Sequence, residues 1–201
     1  MPNSFTEHIS LFPLNTVLFP DGLLPLKIFE QRYLEMTKRC LRDETPFGVC
    51  LIREGAEIGV PAVPAQVGCL ARIAEWDMPQ LGMFHLLAQG TQRFRVVEYG
   101  AGDNGLISAT VELLSAEPGE APREPLCVET LRAAINKLDA RNFPSPHRFD
   151  DAAWVSYRLT EAMPIPLEIK QSFLEMTDPH ARLARLAQMI SDALPRADRE
   201  A

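Results

Sequence analysis

The chain has 201 residues, 46% hydrophobic and 23% charged, and a net charge of −7. That length allows one domain or two small ones, in proportions ordinary for a soluble globular protein. Residues 1–115 hold 9 Lys+Arg against 13 Asp+Glu and the remainder 11 against 14, so neither part has the basic excess that drives binding to a phosphate backbone.

Leu11–Phe19 is dense in Leu, Phe and Val but interrupted by Pro13. Proline cannot donate to a sheet ladder, so an edge or bulged strand is expected. Pro20-Asp21-Gly22 reads as a β-turn, with proline presetting φ and glycine favoured near the end. Leu23–Phe29 returns as a second strand carrying Pro25. From Glu30 the period becomes helical: Phe29, Tyr33, Met36 and Cys40, with Leu34, Thr37 and Leu41 beside them, share one face. Asp43–Pro46 stops that helix. Phe47–Arg53 is a short strand, and Gly55–Gln66 an irregular loop with two glycines and two prolines. Val67–Trp76 is a long, nearly continuous apolar strand. Met83–Gln89 and Arg93–Tyr99 are expected to form a hairpin around Gly90-Thr91, and Leu106–Leu114 alternates apolar with polar residues. Many short strands with one early helix argue for an antiparallel barrel or folded sheet.

Composition changes at Ala116–Pro125, where three prolines and four charges predict a linker. Beyond it the period is helical. Leu126–Ala140 carries a stripe of Val128, Leu131, Ile135 and Leu138. Arg141–Phe149 is a connector, with Phe143 and Phe149 expected in a small core cluster, and Asp150 or Asp151 can cap the next helix. That helix holds Trp154, Val155, Leu159 and Met163. A third begins near Pro166 and a fourth after Asp178-Pro179, ending at Pro195. The expected organisation is therefore α+β: a β lobe over 1–115, a linker over 116–125, and a helical lobe of about four helices over 126–201.

Three segments carry a family likeness. Leu11–Leu14, Leu18–Pro20, Leu24–Leu26, Ile28–Glu30 and Arg32–Leu34 (LFPL, LFP, LPL, IFE, RYL) form an ordered series. Gly68–Ile73 supplies G-x-x-A-x-I, and Gly90–Phe94 supplies G-x-x-R-F. Lys170, Gln171, Leu174, Glu175, Arg182, Leu183 and Leu186 complete the pattern. Together they resemble the Lon substrate-binding domain, the N-terminal domain of Lon proteases, which also occurs in stand-alone proteins. The resemblance implies a PUA-like β lobe followed by a helical lobe. Complete Lon proteases continue into an ATPase and a Ser–Lys protease domain; this sequence stops at Ala201, so neither is expected.

The residues themselves show no catalytic motif. There is no G-x-x-x-x-G-K-[ST] phosphate loop, no G-x-S-x-G elbow and no H-E-x-x-H pair. His8, His85, His147 and His180 lie far apart, and Cys40, Cys50, Cys69 and Cys127 are expected as free buried thiols rather than a disulfide or metal site. The opening MPNSFTEHIS lacks the regions of a signal peptide, and no run approaches the roughly 18 apolar residues that span a bilayer. A cytoplasmic, non-catalytic protein without cofactor or metal is the expectation.

Binding features remain. Asp77–Gly82 is placed at a turn yet presents Met78 and Leu81, with Trp76 and Met83 at its base; apolar residues at a turn point to a contact surface. Val60, Pro61 and Pro64 are read either as a rigid loop or as the lining of a groove for an extended peptide. Arg93 and Arg95 are expected to project to solvent or pair with acids, and are candidates to hold a peptide carboxylate. Strand addition at Leu11–Leu14 is a further option, weakened by Pro13. The implied partners are unfolded or degron-bearing polypeptides with exposed apolar segments, in quality control alongside a protease or chaperone. A weak homodimer is left open, and no nucleic acid or membrane is expected. The alternatives are a PUA-like RNA-binding module and a small-molecule-binding enzyme with a site not visible as a local motif.

Overall fold

The computed structural model describes residues 6–57, 62–138, 143 and 145–193. The chain divides into two compact units, Met1–Ala116 and Glu117–Ala201.

The first unit holds strands β1 (Thr6–Leu14), β2 (Leu23–Ile28), β3 (Phe47–Glu54), β4 (Val63–Pro64), β5 (Val67–Gln80), β6 (Met83–Ala101) and β7 (Ile107–Leu113), with helix α1 (Gln31–Asp43) between β2 and β3. Pairings run β1–β7–β6–β5–β3 and return from β3 to β1, closing a ring. Every pairing is antiparallel except β1–β3. β1 closes the ring by dividing its length: Thr6–Leu11 pairs with β7, and Leu11–Leu14 pairs with β3. Pro13 lies beyond the last β7 partner, so one flank of it has no strand, which is where a sheet tolerates a missing donor. Leu11–Leu14 is nonetheless buried, which argues against that segment as a place for strand addition.

Both faces of the ring strands are covered. Ile9, Leu11, Cys50, Leu70, Phe94, Ile107, Ala109 and Val111 form one cluster. Phe12, Tyr33, Met36, Cys40, Phe47, Val49, Cys69, Phe84 and Leu86 belong to a second, which contains the inner face of α1. Strands buried on both faces read as continuous apolar runs rather than alternating ones, which accounts for Val67–Leu70.

One expected turn is absent for an identifiable reason. No hairpin forms at Gly90-Thr91; β6 runs unbroken from Met83 to Ala101. The Pro20–Gly22 turn docks on the strand there: Asp21 N–H donates to the Gly90 carbonyl (2.8 Å) and Gly90 N–H to that of Gly22 (2.8 Å). A Cβ at Gly90 would stand 2.1 Å from the Phe19 carbonyl oxygen. The ladder also slips between Cys69↔Arg93 and Ala71↔Gly90. The glycine thus marks a bulge and a close backbone approach instead of a turn. The β5–β6 turn is Leu81-Gly82, at the end of the expected Asp77–Gly82 segment, because β5 continues to Gln80, which pairs with Met83; Gly82 has φ 83°.

The second unit contains α2 (Pro125–Lys137), α3 (Ala152–Ala162), α4 (Leu167–Glu175) and α5 (Pro179–Ala193) among its described residues. The expected helix ends at Ala140 and Pro195 lie outside the described residues. Asp151 caps α3 by accepting from Trp154 N–H (3.1 Å), and Asp178 accepts from His180 N–H (2.8 Å) at the start of α5. Cys127, Leu131, Val155, Leu159, Phe173, Leu183 and Leu186 fill its core. Arg182 is fully buried with them. Its guanidinium is ion-paired to Glu117, donates to Ser156 Oγ (2.8 Å) and the Met176 carbonyl (2.9 Å), and stacks 4.0 Å from the Tyr157 ring. Glu117, in the segment read as a linker, is therefore part of the helical unit. Phe143 is buried as expected; Phe149 packs edge-on against Trp154 at 5.6 Å.

Candidate functional site

Among the described residues of the first unit, exposed large apolar side chains gather at the far end of the β5–β6 hairpin, with Val63 on β4 and Val97 and Tyr99 farther along β6 exposed singly. Leu81 is 96% exposed, Trp76 56%, Phe29 54% and Met78 43%. Local structure explains how they come together. Cross-strand partners in an antiparallel pair share a face. The pairings Ile28↔Phe84 and Leu26↔Leu86↔Trp76 therefore place Trp76 on the face that Phe84 and Leu86 turn to the core. Its indole meets the Phe84 ring at 5.8 Å, but β5 and β6 continue past the packed cluster, so the rest of the ring stays in water. Met78, two residues on, follows it, and Leu81 stands in the turn itself. Met83 is half-buried beside the turn. Its neighbour Gln80 directs its amide toward the Met83 sulfur (3.7 Å).

Phe29 is exposed at the same end of the sheet but on the opposite face from Trp76. The helical period places it on the inner face of α1, whereas α1 begins at Gln31 and β2 ends at Ile28. Ile28 points inward on β2, so the next residue takes the opposite side; carrying the period of two one residue further would have found it.

The other expected binding residues lie elsewhere. Pro64 is buried in the two-residue β4, paired with Ile52. Val60 and Pro61 lie outside the described residues. Arg93 is buried at the β6 bulge opposite Cys69, which excludes the solvent-facing one of its two expected placements. Arg95 is half-exposed and reaches Glu112 at 3.6 Å. Arg95 pairs with Val67, nine residues along β5 from Trp76, roughly 30 Å at strand rise. The arginines and the hairpin tip therefore do not form one site.

The titratable groups show little preparation for chemistry. All four cysteines are free and buried. Burial pushes the Cys40 and Cys50 thiols up and that of Cys127 to about 11, the opposite of the thiolate character a nucleophile needs. Among the described residues no group of three or more His, Cys, Asp or Glu could hold a metal ion. A concavity of about 360 Å³ lies between β1 and the end of α1, where Arg39 donates to Ser10 Oγ above Cys40. No helix among the described residues is long and apolar enough to cross a membrane.

Comparison with known proteins gives these observations a context. The crystal structure of a Lon N-terminal domain protein from Xanthomonas campestris is similar over 94% of this chain and 99% of that one, at TM-score 0.75 and 32% identity. The N-terminal domain of a Mycobacterium avium complex Lon protease shares the fold at TM-score 0.63 and 17% identity, over 94% of this chain and 100% of that one. Lon protease 2 of Myxococcus xanthus is 26% identical over 92% of this chain, and Lon protease of Escherichia coli K12 26% identical over 93%. The chain spans about a quarter of their lengths, 24% and 25% respectively. The model of the ATP-dependent protease La (LON) substrate-binding domain matches residues 8–192. The chain belongs to the Lon substrate-binding domain family.

Proposed function

We propose that this protein is a non-catalytic, cytoplasmic module that holds polypeptides through their exposed apolar segments, using the β5–β6 hairpin end. The observation that carries the reading is the concentration of Trp76, Met78 and Leu81 in water at the end of the β5–β6 hairpin, in a family described as substrate-binding. Contiguous exposed apolar surface is unusual on a monomer and marks interaction sites. Trp supplies a large rigid contact, and Met adapts to varied partners. No covalent step is involved; a partner protease or chaperone in quality control acts on the held chain. The acidic balance of −7 favours polypeptide over nucleic acid as ligand.

The test uses reduced, carboxymethylated α-lactalbumin, a permanently unfolded protein, and its native form. Fluorescence anisotropy should show binding of the unfolded form in the micromolar range and none of the native form. Trp76→Ser with Leu81→Ser should weaken it at least tenfold. Absence of binding at high micromolar concentration, there and on a diverse peptide array, removes the proposal.

A further inference from the structure

We propose that the outer edge of β5, from Arg72 to Met78, takes an extended peptide as an added strand, and that it prefers segments alternating apolar with basic residues. This deepens the function proposed above and rests on it. β6 pairs with β5 along its whole length on one side, from Val67 to Gln80. On the other side β3 pairs only with Cys69–Ala71. From Arg72 onward that flank has no strand partner among the described residues, and all but half-buried Ile73 are exposed. The Met78 N–H at the end of this edge donates to Asp77 Oδ1 (2.8 Å); a row of backbone N–H and C=O groups without a strand partner, as along Arg72–Asp77, is a template for another strand.

The side chains beside this edge are sorted by register. Ile73↔Ala88 and Trp76↔Leu86 lie on the core-side face, with Met78 following. Arg72↔Gln89, Glu75↔Leu87 and Asp77↔His85 lie on the other. Arg72 is tied to Gln89 by a hydrogen bond. Glu75 and Asp77 are exposed, and neither is in an ion pair among the described residues. A strand laid along β5 has neighbours of two kinds, apolar Trp76 and Met78 on one face and two carboxylates on the other. Cross-strand pairs reward opposite charges and penalise like ones, so alternating apolar and basic residues fit both faces. The ladder gives affinity that does not depend on sequence; the two faces set the preference.

A second copy fits less well. Joining two such edges brings the Glu75–Asp77 pairs of both copies together, where like charges oppose one another.

The test is anisotropy with a fluorescein-labelled decapeptide of alternating valine and lysine, against the same peptide N-methylated on every valine or on every lysine. Alternate amides of a strand face one edge. One methylated peptide should bind at least tenfold more weakly and the other within about twofold of the parent. Glu75→Lys with Asp77→Lys should weaken the parent at least tenfold and strengthen the valine–glutamate peptide. Amide exchange should slow within 72–78 when the parent binds. Equal loss with both methylated peptides, or no loss, overturns strand addition and leaves side-chain capture standing. So does failure of the valine–lysine peptide while carboxymethylated lactalbumin still binds; failure of both overturns the parent reading too. Self-association abolished by the Lys variants, without peptide binding, assigns the edge to a second copy instead.

Discussion

The two halves of the β5–β6 hairpin draw on similar residues and reach opposite environments. Near its base, Cys69, Leu70, Ala71 and Phe94 are buried on both faces, between the ring interior and the layer under α1. Near its tip, Trp76, Met78 and Leu81 have neighbours on one side at most and remain exposed. The difference lies in length. β3 ends its pairing with β5 at Ala71 and β7 ends its pairing with β6 at Phe94, so beyond those points the hairpin keeps only β2 as a third strand. Apolar character at the base therefore serves folding, whereas at the tip it contributes little to folding and is the surface proposed for recognition. Substitutions along the hairpin separate the two.

The largest effect is expected at the base. Phe94 is fully buried in the ring cluster, and Phe94→Ala should cost about 3–5 kcal/mol, lost transfer energy plus a residual cavity. Urea denaturation should show it as a drop in midpoint with little change in slope. An effect under 1 kcal/mol would mean that the ring interior is not the core. Gly90→Ala comes next. Its Cβ would press on a carbonyl of the Pro20–Gly22 turn, and backbone cannot rotate aside as a side chain can. The expected loss is on the order of 2–3 kcal/mol, with faster amide exchange at Asp21.

The buried thiols give the same contrast a pH signature. In the folded state the Cys127 thiol is raised from 9.0 to about 11, and burial raises Cys50 further. A thiol with a raised folded pKa adds stability below its unfolded value and loses it above. Stability should thus be flat up to about pH 9 and then fall, by up to about 1.4 kcal/mol per pH unit for each thiol still protonated when folded. Cys50→Ala should shallow that fall. The tip holds no such group, so binding there should not follow it.

Much of this was legible because periodicity reports burial. Phe47–Arg53, α1 and the four later helices stand where the apolar spacing places them, and Asp151 caps α3 as its position implies. Gly90 misled because glycine marks a turn or a close approach equally well, and the partner that decides, the Phe19–Gly22 turn, is 68 or more residues away. The burial of Arg93 and Arg182 was not legible for a related reason: alternation and helical period place a side chain on a face but do not tell whether a carboxylate such as Glu117, which pairs with Arg182, awaits it there. The tip residues Trp76, Met78 and Leu81 could be named from their spacing, since a turn so apolar conflicts with local rules. The free edge of β5 could not, because which strands pair is fixed only by the closed ring.

At the tip the expected effects on stability are small. Trp76 is packed on Phe84 with over half its surface in water, so Trp76→Ala should cost about 1 kcal/mol, mostly the aromatic pair. Leu81→Ser should change stability by no more than about 0.5 kcal/mol, since almost none of that side chain is removed from water on folding. Urea midpoints of the two variants, read beside their affinities for carboxymethylated lactalbumin, decide what the tip is for. A residue that the fold does not need and the ligand does will leave the midpoint where it was while binding falls. If Leu81→Ser instead lowers the midpoint by more than 1 kcal/mol, its side chain is covered in solution, and the apolar tip belongs to a folding or self-association contact rather than to a held polypeptide.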